Sequence, residues 1–366
     1  MKDERQITAI QSAAILVSTI IGVGVLPLPL FAVRAGGSGA PMVTLLGVLL
    51  GFLGLSLIAI LGMRFPGKSI TQYGQDILGK WPGRIGSVLV IAYFAVLCSL
   101  TAREFGEVVI TAVLTKTPLE VTVIVMLLLA AIATRNTITT FAYIHHFYFP
   151  LLLFPVLLIV ALSLKNADAI NLQPIWGNDP LGTPAMWGGL LTIAALFQGS
   201  FVMTTVIPAM RRPEKALAAG AWAMLIAGGL YVIIVAATVG VFGSEETKNL
   251  LWPTLELAKT TSLPANVLER LDAAFLAVWV TAVFTTLFSS YFFTIKETSK
   301  LLRLRDHKMF SFFLLPIIYF MAMLPQSILH MYEIIQDFGR IGLILTIVYP
   351  GLLLVVAVLR GTKEAA

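Results

Sequence analysis

The first long apolar segment of the chain contains the run T-I-I-G-V-G-V-L-P-L-P-L, from Thr19 to Leu30. Gly22 and Gly24 weaken a helix, while Pro27 and Pro29 each remove a backbone donor and clash with the preceding turn. In a bilayer, the freed backbone groups must find partners inside the protein or line a cavity. The run therefore predicts a break in a membrane-spanning helix, and the break marks a candidate binding site.

The composition is that of a polytopic membrane protein. Of the 366 residues, 58% are hydrophobic and 12% are charged, and the mean hydropathy is +0.91. Soluble domains are roughly 45–50% apolar. We expect one transmembrane domain over residues 1–366, with no cleaved signal peptide. Cys98 is the only cysteine, so neither an internal disulfide nor a thiolate metal site is expected.

Apolar runs of about 20 residues recur along the whole chain, and each is long enough to cross a bilayer. Ten spans are predicted, at about 7–33, 39–63, 84–114, 118–134, 137–164, 185–210, 215–242, 265–298, 309–323 and 339–359. Lys and Arg are more frequent on one side of these spans, which predicts that both termini are cytoplasmic. The net charge of +6 is thereby explained by topology, and no nucleic-acid partner is expected.

A second interruption occurs in span 6, where Phe197, Gln198, Gly199 and Ser200 follow one another within an apolar run. Amphipathic segments also follow spans 2 and 7, at 69–78 and 245–263. These matches divide the chain five plus five, into repeats of about 7–164 and 185–360. Because each half has an odd number of spans, the two repeats run in opposite directions across the membrane. The pattern predicts a mid-membrane site between spans 1 and 6, flanked by spans 3 and 8.

The break in span 1 offers open backbone N–H groups around Val23 and Gly24, near the positive end of a half-helix. Such a position stabilises an anionic group such as a carboxylate, and an amino acid fits this arrangement. The alternative is that glycine and proline only kink a packed span. The matching break in span 6 favours the binding interpretation.

Span 3 carries charged residues within the membrane, at Arg103, Glu104 and Glu107. Arg103 and Glu107 are one helical turn apart and can pair. Intramembrane charge is costly and is usually functional. The alternative role is structural, with the ion pair fixing span 3 to span 8, where Glu269, Arg270 and Asp272 lie.

Other polar residues also fall near the predicted site. Tyr93 in span 3 and Thr281, Thr285 and Thr286 in span 8 can point towards the cavity, although Ser and Thr often bond only to helix backbone. His145 and His146 in span 5 have no carboxylate or cysteine at ligand spacing, so a packing role is favoured over a metal or proton-relay role. No nucleotide-binding loop, nucleophile elbow or zinc motif is present. The sequence predicts neither an enzyme nor a cofactor.

Six features in the same order resemble the B subunit of bacterial spore germinant receptors. They are G-V-G-V-L-P-L-P from Gly22, G-K-W-P-G from Gly79, Arg103 with Glu107, I-N-L-Q-P-I-W-G from Ile170, L-L-W-P-T from Leu250 and L-E-R-L-D-A-A-F-L-A-V-W-V from Leu268. That family belongs to the amino acid, polyamine and organocation transporter superfamily. The resemblance implies a LeuT-like fold of ten helices with discontinuous helices 1 and 6. It also implies an A subunit and a lipoprotein C subunit as partners in the spore inner membrane.

The resemblance adds functional expectations for single residues. Gly22, Gly24, Tyr93, Thr285 and Thr286 match family positions in spans 1, 3 and 8. Family members often carry an acidic residue where this chain has Phe201, and a basic residue where it has Leu30, so a less charged or more apolar nutrient is expected. The candidate binding residues are Thr19, Gly22, Val23, Gly24, Tyr93, Phe197, Gln198, Gly199, Ser200, Thr285 and Thr286.

Three functions stay open at this point. The first is a nutrient-sensing receptor subunit in the spore inner membrane or cell membrane. The second is a cation- or proton-coupled amino acid permease that uses the same cavity. The third is a membrane scaffold whose cavity binds nothing. In the inner halves of spans 1 and 8, the hydroxyls of Ser18, Thr19, Ser289 and Ser290 could hold a coupling ion, but no carboxylate lies beside them near the break.

Overall fold

The computed structural model describes residues 6–177, 184–260, 271–304 and 306–364. Over these residues the chain is helical, with one isolated β-bridge between Ile7 and Met210. The helices are α1 (Ala9–Ile20), α2 (Leu28–Gly36), α3 (Ala40–Arg64), α4 (Ile70–Leu78), α5 (Lys80–Ala112), α6 (Leu119–Ala133), α7 (Ile138–Ser163), α8 (Pro184–Ala195), α9 (Met203–Val206), α10 (Ala216–Thr247), α11 (Pro253–Thr260), α12 (Leu271–Leu301), α13 (Lys308–Ala322), α14 (Ile328–Leu343) and α15 (Tyr349–Leu359).

Seven helical segments in the described ranges are long and apolar enough to cross a bilayer. The helices α1, α6 and α13 are apolar but shorter. The protein is therefore a multi-pass membrane protein, while the predicted total of ten spans stays a prediction. The division into repeats at about 7–164 and 185–360 likewise stays a prediction.

The predicted break in span 1 is present. The helix α1 ends at Ile20, one 3-10 turn covers Val23–Val25, and α2 begins at Leu28. Pro29 falls in the first turn of α2, where a missing N–H costs little because that group has no partner within the helix. The glycines and prolines therefore act as the sequence indicated, ending one half-helix and starting the next.

Span 6 is also discontinuous. The helix α8 ends at Ala195, a 3-10 turn covers Gln198–Val202, and α9 is only four residues long, from Met203 to Val206. The two interruptions lie side by side, because a Cβ atom built at Gly199 would be 3.0 Å from Thr19 Cγ2 at the end of α1. Discontinuous helices 1 and 6 therefore meet in the centre of the bundle.

The amphipathic segments agree with the prediction to different degrees. The helix α4 has Ser69 as its N-cap and Gly79 as its C-cap, as predicted for 69–78. The predicted segment 245–263 is shorter in the structure, because α10 extends to Thr247 and α11 covers Pro253–Thr260. Its last residues, 261–263, lie outside the described part of the chain.

The prediction that the last span begins at residue 339 is wrong. A helical segment runs from Ile328 to Leu359, through a π-helical turn at Ile344–Val348. Ser327 caps its start, since its hydroxyl accepts a hydrogen bond from His330 N at 3.2 Å. Asp337 and Arg340 lower the hydropathy of α14. The hydropathy of the sequence therefore did not indicate that the helical segment begins before residue 339.

Both ends of the described chain lie at the same end of the helix bundle. Ile7 N donates to Ala209 O at 3.0 Å, and Glu364 N donates to Arg64 O at 3.2 Å. A Cβ atom built at Gly62, near the end of α3, would lie 2.2 Å from Ile207 Cδ1, close to Ala209. We call this end of the bundle the terminal end.

Candidate functional site

A cavity of about 80 Å³ lies between the two helix breaks. One ordered water needs roughly 10–15 Å³, so the cavity has room for a small molecule. Its walls are mainly apolar and come from the span 1 break, α5, the span 6 break, α12 and α14. The lining residues are Thr19, Ile20, Gly22, Val23, Gly24, Leu97, Leu100, Thr101, Glu104, Ala195, Leu196, Gln198, Gly199, Thr286, Ser290, Ile335, Phe338 and Gly339.

The structure places seven of the eleven candidate binding residues at this cavity. They are Thr19, Gly22, Val23, Gly24, Gln198, Gly199 and Thr286. Tyr93, Phe197, Ser200 and Thr285 do not line it. Span 3, which is α5, was predicted to flank the site, but its residues at the cavity were not identified, and the contribution of α14 was missed. On α5 a signal was available, since Leu97, Leu100, Thr101 and Glu104 recur at the spacing of one helical face.

Side chains from distant helices satisfy the backbone carbonyls at the span 1 break. The Tyr231 hydroxyl, on α10, donates to Ile20 O at 2.7 Å. The Thr254 hydroxyl, on α11, donates to Val25 O at 2.7 Å. A carbonyl buried without a partner carries a full desolvation cost. These long-range bonds therefore make the break stable inside the bundle.

Replacing Tyr231 with phenylalanine should lower the free energy of unfolding by about 1–2 kcal/mol, because Ile20 O loses its hydroxyl donor in a buried position. The measurement is equilibrium unfolding in detergent micelles, followed by circular dichroism. Tyr143→Phe is the matched control, since Tyr143 is 60% exposed. Equal effects of the two exchanges would contradict the assigned role of the Tyr231 hydroxyl.

The two threonines of α12 also bond to the backbone of α1. Thr285 Oγ1 donates to Ser18 O at 2.9 Å, and Thr286 Oγ1 donates to Thr19 O at 2.9 Å. Thr285 is fully buried away from the cavity, while Thr286 lies at its edge. Both hydroxyls therefore have a backbone partner that joins α12 to α1, which is the alternative role considered for them from the sequence.

Tyr93 lies behind the cavity wall. Its hydroxyl donates to Gln198 Oε1, and Gln198 Nε2 donates in turn to Gly339 O at 2.7 Å. The Tyr93 ring stacks on Phe338, with 4.7 Å between ring centroids. This group connects α5, the span 6 break and α14, and it closes the cavity on one side.

Phe197 and Ser200 also face away from the cavity. The Phe197 ring packs at 5.3 Å from Tyr231, and Ser200 lines a smaller space beside α3. Phe201 is fully buried between Phe94 and Phe293, with ring centroids at 5.4 and 5.8 Å. The position where family members often carry an acid is therefore part of an aromatic cluster in this chain.

His145 is buried and packs between aromatic rings, as predicted for a packing histidine. It also belongs to a hydrogen-bond chain that leads to the cavity. Its Nδ1 lies 3.0 Å from Phe141 O, and its Nε2 lies 2.8 Å from Ser289 Oγ. Ser289 Oγ lies 2.6 Å from Oγ1 of Thr19, a cavity residue. Because a carbonyl only accepts, Nδ1 carries a proton, and in the neutral ring Nε2 accepts from Ser289.

The charged residues of span 3 divide into two groups. Arg103 forms an ion pair with Glu107 at 2.8 Å, and its guanidinium also donates to Ala322 O on α13 at 3.5 Å. Glu104 is not part of this ion pair, because it projects from another face of α5 and lines the cavity. The predicted partners in span 8 cannot be compared, since Glu269, Arg270 and the Asp272 side chain lie outside the described residues.

The described residues contain no group of three His, Cys, Asp or Glu side chains that could hold a metal ion. The candidate site is a mainly apolar cavity with a few polar side chains and backbone groups in its wall. Its shape is that of a small-molecule binding site, which is concave and mostly apolar with a few polar groups.

A sequence profile of the family described as "Spore germination protein" matches residues 6–331. The chain belongs to this family. Spore germination protein YndE of Bacillus subtilis (strain 168) is 25% identical over 360 residues, covering 98% of each chain. Spore germination protein B2 of the same organism is 27% identical over 300 residues, covering 79% of this chain and 78% of that protein. The resemblance found in the sequence is thereby confirmed.

Two solved structures share the fold of this chain. Mhp1, a nucleobase-cation-symport-1 family transporter in a closed conformation with bromovinylhydantoin bound, aligns with a TM-score of 0.69 and 15% identity, covering 94% of this chain and 77% of that one. MhsT in complex with L-phenylalanine aligns with a TM-score of 0.70 and 13% identity, covering 98% and 91%. This spore germination family member therefore has the predicted LeuT-like fold.

Proposed function

We propose that this member of the spore germination protein family is a nutrient-sensing receptor subunit. It binds a small molecule, such as an amino acid, in the cavity between the two helix breaks. The observation that carries the proposal is the cavity itself, which is lined by both discontinuous helices and mainly by apolar groups. Membership of the spore germination protein family supports a role for such binding in germination.

A ligand in this cavity can act as a signal because it contacts both halves of the fold. Thr19 and Gly22 come from the first half, while Gln198 and Thr286 come from the second. A ligand shifts a conformational equilibrium only if it binds one arrangement better than the other. A ligand that contacts both halves binds more tightly to the arrangement in which both sets of contacts are made. The shift towards that arrangement would be transmitted to the partner A and C subunits.

The same proposal places the chain in the spore inner membrane or cell membrane with both termini in the cytoplasm. Support comes from the excess of Lys and Arg on one side of the predicted spans. The position of both described chain ends at the terminal end of the bundle is consistent with this orientation.

The test is to reconstitute the purified protein in liposomes and to measure binding and uptake of radiolabelled L-alanine, L-valine and L-leucine. Saturable binding without concentrative uptake is the expected result. Uptake that follows an imposed proton or sodium gradient would show that the protein is a permease and would contradict the receptor proposal. If the protein co-purified with its partner subunits binds none of these amino acids, the result would favour the scaffold role.

A further inference from the structure

Glu104 is a buried carboxylate at the edge of the cavity, and one of its oxygens has no partner among the described residues. It is 3% exposed, and its Oε1 makes no hydrogen bond with any described residue. Buried polar atoms in native proteins nearly always have a partner. An ionised carboxylate in such a place is unfavourable unless a cation or several donors face it. The unpaired Oε1 therefore leaves an acceptor open to a donor group of a ligand.

No cation of the protein supplies this partner among the described residues. Arg103, the neighbouring residue in the sequence, is already paired with Glu107 at 2.8 Å and is turned to another face of α5. The other described residues that line the cavity are neutral, so Glu104 is the one ionisable side chain among them. The cavity therefore carries a single fixed group suited to a cation, in walls that are otherwise mainly apolar.

We propose that Glu104 binds the ammonium group of the ligand, so that the nutrient is a small, mainly apolar amine such as an aliphatic amino acid. This inference rests on the proposed function, since it names the ligand class of the same cavity. An ammonium group donates three hydrogen bonds and carries the charge that compensates the carboxylate. Glu104 then selects amine-bearing nutrients against carboxylates, amides and sugars of similar size.

The test uses matched ligands that differ in one group. L-Valine, isobutylamine and isovalerate share a branched aliphatic part, and they carry respectively both charged groups, the amine alone and the carboxylate alone. The same sets based on alanine and leucine cover other sizes. Dissociation constants are measured by isothermal titration calorimetry with the protein in lipid nanodiscs, for wild type, Glu104→Gln and Glu104→Asp.

Wild type should bind the amine-bearing members of a set and not the matching carboxylate. Glu104→Gln should weaken amine binding by at least about 30-fold, as expected when one partner of a buried charge pair is removed. Glu104→Asp should restore part of the affinity. Because glutamine has the same size and removes an uncompensated charge, we expect this variant to fold. Glu120→Gln, at an exposed position of α6, is the matched control and should bind as wild type does.

Three results would overturn the inference in distinguishable ways. If wild type binds the amines and Glu104→Gln binds them equally well, the cavity binds nutrients but Glu104 does not select them. If wild type binds carboxylates alone, the ligand class is wrong while nutrient binding stands. Binding of no member of any set by the receptor complex would overturn the proposed function together with the inference.

Discussion

Replacing Gly22 with alanine should weaken ligand binding by about 100-fold and lower the free energy of unfolding by about 3 kcal/mol. An added Cβ atom would lie 2.2 Å from Thr286 Oγ1 and 2.8 Å from Thr286 Cβ. Both positions line the cavity, and Thr286 is held by its hydrogen bond to Thr19 O. The overlap is relieved by moving the break away from α12, which deforms the cavity proposed to bind the ligand.

Binding is measured by calorimetry in nanodiscs, and unfolding by circular dichroism in detergent. Gly229→Ala is the matched control, because a Cβ atom there meets nothing within 4 Å. Alanine in the interior of α10 should be neutral or stabilising by roughly 0.5–1 kcal/mol. Thr286→Ala should recover part of the binding lost by Gly22→Ala. Unchanged binding by the single variant would show that close packing of the break against α12 is not required.

The space around Gly199 differs from the space around Gly22. A Cβ atom at Gly199 would lie 3.0 Å from Thr19 Cγ2 and 3.2 Å from Thr19 O. These contacts are tight but can be relieved by a shift of a few tenths of an ångström. Gly199→Ala should therefore have a smaller effect than Gly22→Ala in both measurements. From the sequence the two glycines were equivalent, and only the neighbouring atoms distinguish them.

Local chemistry was sufficient to predict the breaks and much of the cavity. Gly22, Gly24 and Pro27 disfavour a continuous helix, and a matching interruption at Gly199 indicated the second half of the candidate site. Tertiary contacts were not predictable in the same way. The donor for Ile20 O is the Tyr231 hydroxyl, 211 residues away, and no spacing rule connects the two.

The two acidic residues of span 3 show where sequence reasoning reached its limit. Arg103 and Glu107 are four residues apart, so their pairing followed from helix geometry. Glu104 was grouped with them because it is adjacent in the sequence. Its separate position depends on which face of α5 meets the cavity, and that face is set by packing against the span 1 break and α14. The expectation of a less charged ligand came from Phe201 and Leu30 and did not include Glu104.

A second buried carboxylate, Glu297 on α12, connects three elements at the terminal end of the bundle. Its side chain is fully buried. Glu297 Oε2 accepts from the hydroxyls of Ser69 at 2.7 Å and Thr71 at 2.5 Å. Glu297 Oε1 accepts from Thr205 Oγ1 and from Lys300 Nζ, both at 2.9 Å. Four donors thus satisfy one carboxylate and join α12 to the start of α4 and to α9, below the cavity.

Glu297→Gln should therefore lower the free energy of unfolding by about 3 kcal/mol. The amide nitrogen of glutamine cannot accept, so two donors lose their acceptor in either orientation, and Lys300 loses its ion pair. Equilibrium unfolding in detergent provides the measurement. Glu245→Gln is the matched control, since that side chain is 83% exposed and its ion pair with Lys248 lies at the surface. Such pairs contribute at most about 1 kcal/mol. Similar losses in the two variants would contradict the stabilising role of Glu297, and a much larger loss at Glu297 would confirm that its buried hydrogen bonds to α4 and α9 stabilise the fold.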